Sequence, residues 1–306
     1  MYHVAQADLT RQRYRLPGIT NARSFKQQAA WYQKHHTATH RGARQETIRI
    51  DHLIDAFGDL PLLDLTPARW MEYRARRLTE VSLNTVGNEL TIVKLILGSA
   101  VGDWLEFSPL AGVKRHKEKL PAKRTITRTE ERPFLTALKA EDPELHDLYV
   151  VGVGTLLRQE NLLSLRKREH RQDRLVLTTK TGPHQVPLSG PTLLQQRAAK
   201  VLTRRMPKTE KGYFFPEWHE HFASYDDPAH PRVQFLRIVR RAAAAAEIPW
   251  GIRDGGIVWH TATRATGATR MLRDYKVDVR TVQMIGGWTS LDQMAEYLGM
   301  DLRVFT

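Results

Sequence analysis

Three features of the sequence predict a mainly α-helical chain with one small β-hairpin, divided into two units. Apolar residues recur three or four apart through most of both halves, as amphipathic helices require. A stretch rich in proline, glycine and bases, with little periodicity, interrupts them at residues 108–127. Apolar residues alternate with polar ones on both sides of Thr181-Gly182-Pro183, as in a hairpin.

Residues 1–23 read as an N-terminal tail, and "MYHVAQADLTRQRYRLPG" lacks the apolar stretch of a secretory signal. Residues 24–107 read as a small all-helical domain, with helices expected over "SFKQQAAWYQKHH", "RQETIRIDHLIDAFG", "TPARWMEYRARRL" and "TVGNELTIVKLILGSAV". Pro67 sits just inside one helix start after Thr66, and Thr85 is expected to open another. The segment 108–127 is an exposed basic linker. Residues 128–306 are mixed, beginning with two or three helices in "ERPFLTALKAEDPELHDLYVVGVGTLLRQENLLSL". The hairpin "DRLVLTTKTGPHQVPLS" follows, then helices over "VQFLRIVRRAAAAAE", "ATGATRMLRDY" and "VRTVQMIGG". The last block, "GGWTSLDQMAEYLGM", is a turn and a short helix, capped by Thr289 or Ser290, with Leu291, Met294 and Leu298 at helical spacing.

Composition narrows the function. With 306 residues and 41% hydrophobic content, the chain has enough apolar mass for more than one core. No apolar run approaches the roughly 20 residues that span a bilayer, which points to an intracellular protein. Cysteine is absent, so disulfides, thiolate metal sites and cysteine nucleophiles are excluded. The 47 Lys and Arg against 33 Asp and Glu leave a net charge of +14, which calls for a polyanionic partner. Nucleic acid fits best, because no helix pairs a polybasic face with the broad apolar face that a membrane surface needs. His35, His36, His40, His219 and His221 lack the zinc-protease spacing and read as surface histidines.

Taken singly, an arginine before leucines or a Lys-Thr-Gly turn is a weak signal, but four blocks of the second half stand in an informative order. "GTLLRQENLLSLR" carries Arg158, "TTKTGPHQVPLS" carries Lys180, "WHTATRATGATRML" carries His260 and Arg264, and "VRTVQMIGGWTSLDQMAEY" carries Trp288 and Tyr297. In this order and at these separations the blocks resemble the catalytic domain of the tyrosine recombinases, the phage integrase family. The first half, through "FGDLPLLDLTPARWMEYRARRL", "NTVGNELTIVKLILGSAV" and "SPLAGVK", resembles that family's helical core-binding domain more loosely. The resemblance runs from about residue 24 to 298 and implies a helical DNA-binding domain followed by a mixed α/β catalytic domain.

There are departures from the family pattern. Leu156 and Asn161 stand where the family usually has glycine and glutamate, and Ala265 where many members carry histidine or arginine, whereas Trp288 stands where most members have histidine and some tryptophan. The third block reads His260-x-x-x-Arg264, one residue longer than the family's His-x-x-Arg. Strict alignment from Arg264 puts Thr261 at the histidine position, so either His260 reaches the site through a shifted helix start or the histidine role is missing.

The resemblance implies a mechanism. Tyr297 attacks the scissile phosphorus, giving a 3'-phosphotyrosine and a free 5'-hydroxyl, so that bond energy is kept without ATP. Arg158 and Arg264 clamp the nonbridging oxygens, Lys180 protonates the leaving 5'-oxygen, His260 assists proton transfer or contacts the phosphate, and the Trp288 indole N–H contacts a phosphate oxygen while its ring packs the site. No metal, cofactor or small-molecule substrate is implied. The partner is double-stranded DNA, contacted by helix faces that include Arg41, Arg44, Thr85 and Lys94, with the two domains closing as a clamp. A homo-tetramer is implied, in a cytoplasmic protein of bacterial or phage origin. The alternatives are a relaxing topoisomerase or hairpin-forming resolvase with the same chemistry, and a DNA-binding regulator of this fold that has lost activity.

Overall fold

A computed structural model describes residues 23–40, 42–116, 123–179, 182–223, 231–298 and 301–302, with only the backbone described at 220–223, 231–233 and 296–297. Arg41, Lys180 and Thr181 therefore lie outside the described residues, and Tyr297 is described by its backbone. The chain divides into two compact units, Met1–Lys119 and Leu120–Thr306.

The first unit contains α1 (Phe25–His35), α2 (Ala43–Phe57), α3 (Pro67–Arg77) and α4 (Leu83–Gly98). Its core gathers one apolar stripe from each helix, including Phe25, Ile50, Leu53, Trp70, Val93 and Ile96. Hydroxyl caps fix the helix starts. Ser24 and Gln27 form a reciprocal capping box, and Thr66 accepts from the Arg69 N–H with Pro67 just inside the helix. One start differs from expectation. Ser82, not Thr85, caps α4: the Ser82 hydroxyl accepts from the Thr85 N–H at 3.3 Å, which puts Thr85 inside the first turn.

The second unit runs α5 (Arg128–Glu141), α6 (Pro143–Thr155), α7 (Gln159–Leu163), β1 (Arg174–Thr179), β2 (Gly182–Pro187), α8 (Leu193–Arg204), α9 (Pro216–Ala223) and α10 (Pro231–Ala245). A π-turn, Thr261–Ala265, leads into α11 (Thr266–Arg273), followed by α12 (Val279–Gly286) and α13 (Leu291–Leu298). Helices α8 and α9 are additions to those anticipated, although Thr192 and Gln195 mark the start of α8 through a hydroxyl cap. Ser290 caps α13, accepting from the Gln293 N–H at 3.1 Å.

The hairpin is a two-stranded antiparallel sheet with Arg174 opposite Pro187 and Thr179 opposite Gly182. Leu175, Leu177 and Val186 turn inward and bury against the unit's core. Helix α6 lies at the centre, buried along most of its length, with α5, α8, the π-turn and α11 packed around it. Gly267 permits the close approach of α11, because a Cβ there would sit 2.1 Å from the Val153 carbonyl oxygen. Among the described residues, no helix is long and apolar enough to cross a membrane.

Candidate active site

A cleft of about 300 Å³ in the second unit is lined by Leu157, Arg158, Gln159, Trp259, His260, Thr263, Arg264, Trp288 and Gln293. Four of the residues singled out in the sequence therefore meet, although Arg158 and Trp288 are 130 positions apart in the chain. Each is held by a distinct local device.

Arg158 sits at the N-cap of α7, reached through a sharp turn after α6. The turn is made by Leu156, which adopts the left-handed conformation with φ 55° and ψ 19°. Its side chain is fully buried, and the Thr155 hydroxyl bonds back to the Val151 carbonyl at 2.6 Å. The position where the resembled family usually carries glycine is thus left-handed here, and a leucine occupies it by anchoring its side chain in the core.

Arg264 lies within the π-turn, almost wholly buried. Its guanidinium carbon stands 4.1 Å from the centre of the Trp288 ring, so the cation rests on the indole face. Trp288 is in turn fixed by backbone. Its N–H donates to the Gln283 carbonyl at 3.2 Å, and the Gln283 amide donates to the Trp288 carbonyl at 3.0 Å. Gly286 leaves the space the ring fills, since a Cβ there would come within 1.8 Å of it.

His260 stands exposed at the cleft while Thr261 is fully buried. The Thr261 hydroxyl accepts from the Val258 N–H at 2.9 Å and donates to the Val258 carbonyl at 3.0 Å, which closes a local turn away from the cleft. Of the two candidates for the histidine position, only His260 lines the site. On the side of the ring that faces protein, lost water favours the neutral imidazole and pushes it below its ordinary value, and the positive charges of Lys123 and Arg264 push the same way. His260 is therefore neutral near pH 7, able to accept a proton.

Gln293 on α13 lines the cleft, and Tyr297 follows it by one helical turn.

His184 was not anticipated. It projects from β2, and its Nε2 lies 3.0 Å from the carbonyl oxygens of both Met284 and Ile285 at the end of α12. Those carbonyls are the acceptors a helix leaves unsatisfied at its C-terminus, so the ring must present Nε2–H to them. Burial holds the His184 imidazole below its ordinary value, the two carbonyls oppose that shift, and Arg264 and Arg158 reinforce it. The ring also packs on Gly287, whose φ of 64° ends α12. His184 thus ties the hairpin that carries position 180 to the turn that carries Trp288. No sequence periodicity marks it, because the contact spans 100 residues.

The candidate DNA contacts Arg44, Thr85 and Lys94 belong to the first unit. Arg44 is exposed on α2, and Thr85 is half-buried in the first turn of α4. The Lys94 ammonium donates to the carbonyls of Ala111 at 2.9 Å and Val113 at 3.1 Å, which gives it the structural task of fastening that segment to α4. Among the described residues, no three His, Asp or Glu side chains come together as a metal site would need. His40 Nδ1 instead lies 2.7 Å from Glu46 Oε2, and His219 stacks on Tyr213 at 3.5 Å.

Comparison with known proteins gives a fold. No family model matches the chain, and no curated protein matches its sequence. Among solved structures, a lambda integrase dimer bound to a COC' core site matches with a TM-score of 0.72 at 16% identity, covering 92% of this chain and 79% of that one. A lambda integrase tetramer bound to a Holliday junction matches at 0.69 and 14%, covering 88% of this chain and 78% of that one. The Tn1549 transposon integrase in complex with transposon right end DNA matches at 0.64 and 16%, covering 90% and 94%. The chain, mostly helical with a small antiparallel sheet, has the fold of these integrases.

Proposed function

We infer that this chain is a tyrosine-type site-specific DNA recombinase, cutting and rejoining DNA through a 3'-phosphotyrosine. The observation that carries the reading is the convergence of Arg158, His260, Arg264 and Trp288 on one cleft, beside the helix that bears Tyr297. Surface arginines and packing tryptophans have no reason to converge from three separate blocks. The fold of DNA-bound integrases and the net charge of +14 support the same reading.

In the proposed reaction the Tyr297 oxygen attacks phosphorus, the bond to the 5'-oxygen breaks, and that oxygen leaves with a proton from Lys180. Arg158 and Arg264 offset the negative charge that builds on the nonbridging oxygens, and the Trp288 face keeps the Arg264 fork oriented during that step. Neutral His260 takes up the tyrosine proton or relays it. Attack by a different 5'-hydroxyl reverses the sequence and joins new partners. Exchange between two duplexes requires four such cuts, and hence four chains.

The test is capture on a nicked duplex from which the short 5'-fragment diffuses away. Denaturing electrophoresis should show a covalent protein–DNA adduct, mapping to the peptide that contains Tyr297. Tyr297→Phe should bind DNA as the wild type does and form no adduct. An adduct that persists in this variant would refute the assignment, and a wild type that binds DNA without any adduct would favour an inactive DNA-binding regulator.

A further inference from the structure

The His260-x-x-x-Arg264 spacing raises a geometric problem that the π-turn resolves. In an α-helix each N–H bonds the carbonyl four residues back, whereas a π-turn bonds five back and so holds one more residue in the same turn. A separation of four residues across a π-turn therefore occupies the angular place of three residues in an α-helix. Here the Thr266 N–H reaches the Thr261 carbonyl, five positions back, and the turn covers Thr261–Ala265. The extra residue lies inside the interval between His260 and Arg264, and both side chains line the cleft.

A π-turn is less favourable than continuous α-helix and persists where its surroundings hold it. Thr266 does so with its side chain as well as its backbone. The Thr266 hydroxyl donates to the Thr261 carbonyl at 2.7 Å, adding a second bond to the acceptor that defines the turn. The same oxygen accepts from the Ile126 N–H at 3.0 Å, so a buried backbone donor on the segment before α5 is satisfied only while the hydroxyl points this way. Thr263 contributes a further bond, its hydroxyl donating to the Trp259 carbonyl at 2.8 Å. Thr266 is fully buried and takes no part in lining the cleft.

We propose that the π-turn, clamped by Thr266, is the device that phases His260 with Arg264, and that Thr266 is a positioning residue for the active site. The proposal rests on the recombinase reading for its catalytic consequence, although the phasing itself can be read without catalysis.

The experiment uses the full chain in four forms: wild type, Thr266→Val, Thr266→Ser, and the deletion of Ala262, which restores three-residue spacing by removing the extra residue. Thr266→Val keeps shape and loses the hydroxyl, so covalent capture on nicked DNA should slow roughly 10- to 100-fold, the penalty of a small misplacement, while DNA affinity stays unchanged. Thr266→Ser should recover most of the rate. In the Ala262 deletion the α-helix needs no clamp, so adding Thr266→Val should cost far less there than in the wild type, a departure from additivity that a role in stability alone does not produce. An equal penalty in both backgrounds, or no penalty in the wild type, would overturn the proposal. If the deletion does not fold, the Val and Ser pair still decides.

Titration of His260 by NMR, assigned by loss of its signal in His260→Gln, supplies the readout free of catalysis. Thr266→Val should change the His260 titration, because the protein cover on its ring and its separation from Arg264 both change, and Thr266→Ser should not. An unchanged titration in Thr266→Val would overturn the phasing. A wild type that forms no adduct while its titration behaves as described would sink the recombinase reading and leave the phasing standing.

Discussion

Replacing Leu156 tests whether this left-handed residue is held by its side chain at the cost of backbone strain. Two opposing quantities are set by the structure. A left-handed backbone costs an L-residue with a Cβ about 1–2 kcal/mol, which glycine does not incur. Removing a fully buried leucine side chain costs about 2–5 kcal/mol in lost burial and residual cavity. The freedom of glycine in the unfolded chain takes away about 0.5–1 kcal/mol more. Burial wins: Leu156→Gly should be less stable than the wild type by on the order of 3 kcal/mol, even though it installs the residue usual at this place in the resembled family.

Leu156→Ala sharpens the test, because it loses the same packing and keeps the strain. At an ordinary helical position alanine is more stable than glycine by about 1 kcal/mol. At position 156 the order should vanish or reverse. Scanning calorimetry of the three proteins should show both variants melting several degrees below the wild type, given about 2–4 °C per kcal/mol for a unit of this size. Leu156→Gly melting above the wild type would mean that the leucine contributes nothing that offsets its strain. Leu156→Ala exceeding Leu156→Gly by the ordinary margin would mean that the backbone is not strained there. The turn also sets the start of α7, so both variants should slow covalent capture by loosening Arg158.

Lys180→Ala should cleave slowly on ordinary DNA and recover most of its rate when the bridging 5'-oxygen is replaced by sulfur, because a thiolate leaves without a proton; Arg158→Ala and Arg264→Ala should stay slow on both. A lysine variant no better on sulfur, with wild type cutting both substrates, would remove Lys180 from the role of acid. DNA affinity should fall steeply with salt, with a log–log slope of several units; fluorescence anisotropy across a salt series checks this, and a flat response would argue against an electrostatic interface. His184 lies below its ordinary value in the folded chain, so as pH falls through about 6.5 the unfolded chain takes up a proton that the folded chain refuses, and stability is lost. His260 and His170 shift in the same direction. His184→Gln, whose amide can still donate to Met284 and Ile285, should therefore flatten part of the stability loss between neutral and mildly acid pH in denaturant melts, and an unchanged slope would show that His184 is not the titrating group.

What could be read from the sequence separates cleanly from what could not, according to the distance over which each signal acts. Helix starts at Ser24 and Thr66, and the hairpin around Gly182, depend on residues within three or four positions, and the sequence displays them directly. Ser82 and Thr85 show the limit of even that signal, since both hydroxyls stand three residues from a suitable N–H and only the packed helix decides which is the cap. The blocks bearing Arg158, His260, Arg264 and Trp288 were legible as an ordered set, but their convergence depends on α6 packing against the π-turn and on the Trp288 ring filling the space beside Gly286. The choice between His260 and Thr261 was beyond periodicity altogether, because a helical pattern assumes one residue count per turn and a π-turn changes it. The stabilising bond from Thr266 also ties in Ile126, 140 positions away. A one-residue insertion in a motif is thus tolerated where a buried partner from another segment can hold the wider turn, and that partner, not the motif, is where the sequence departure finds its compensation.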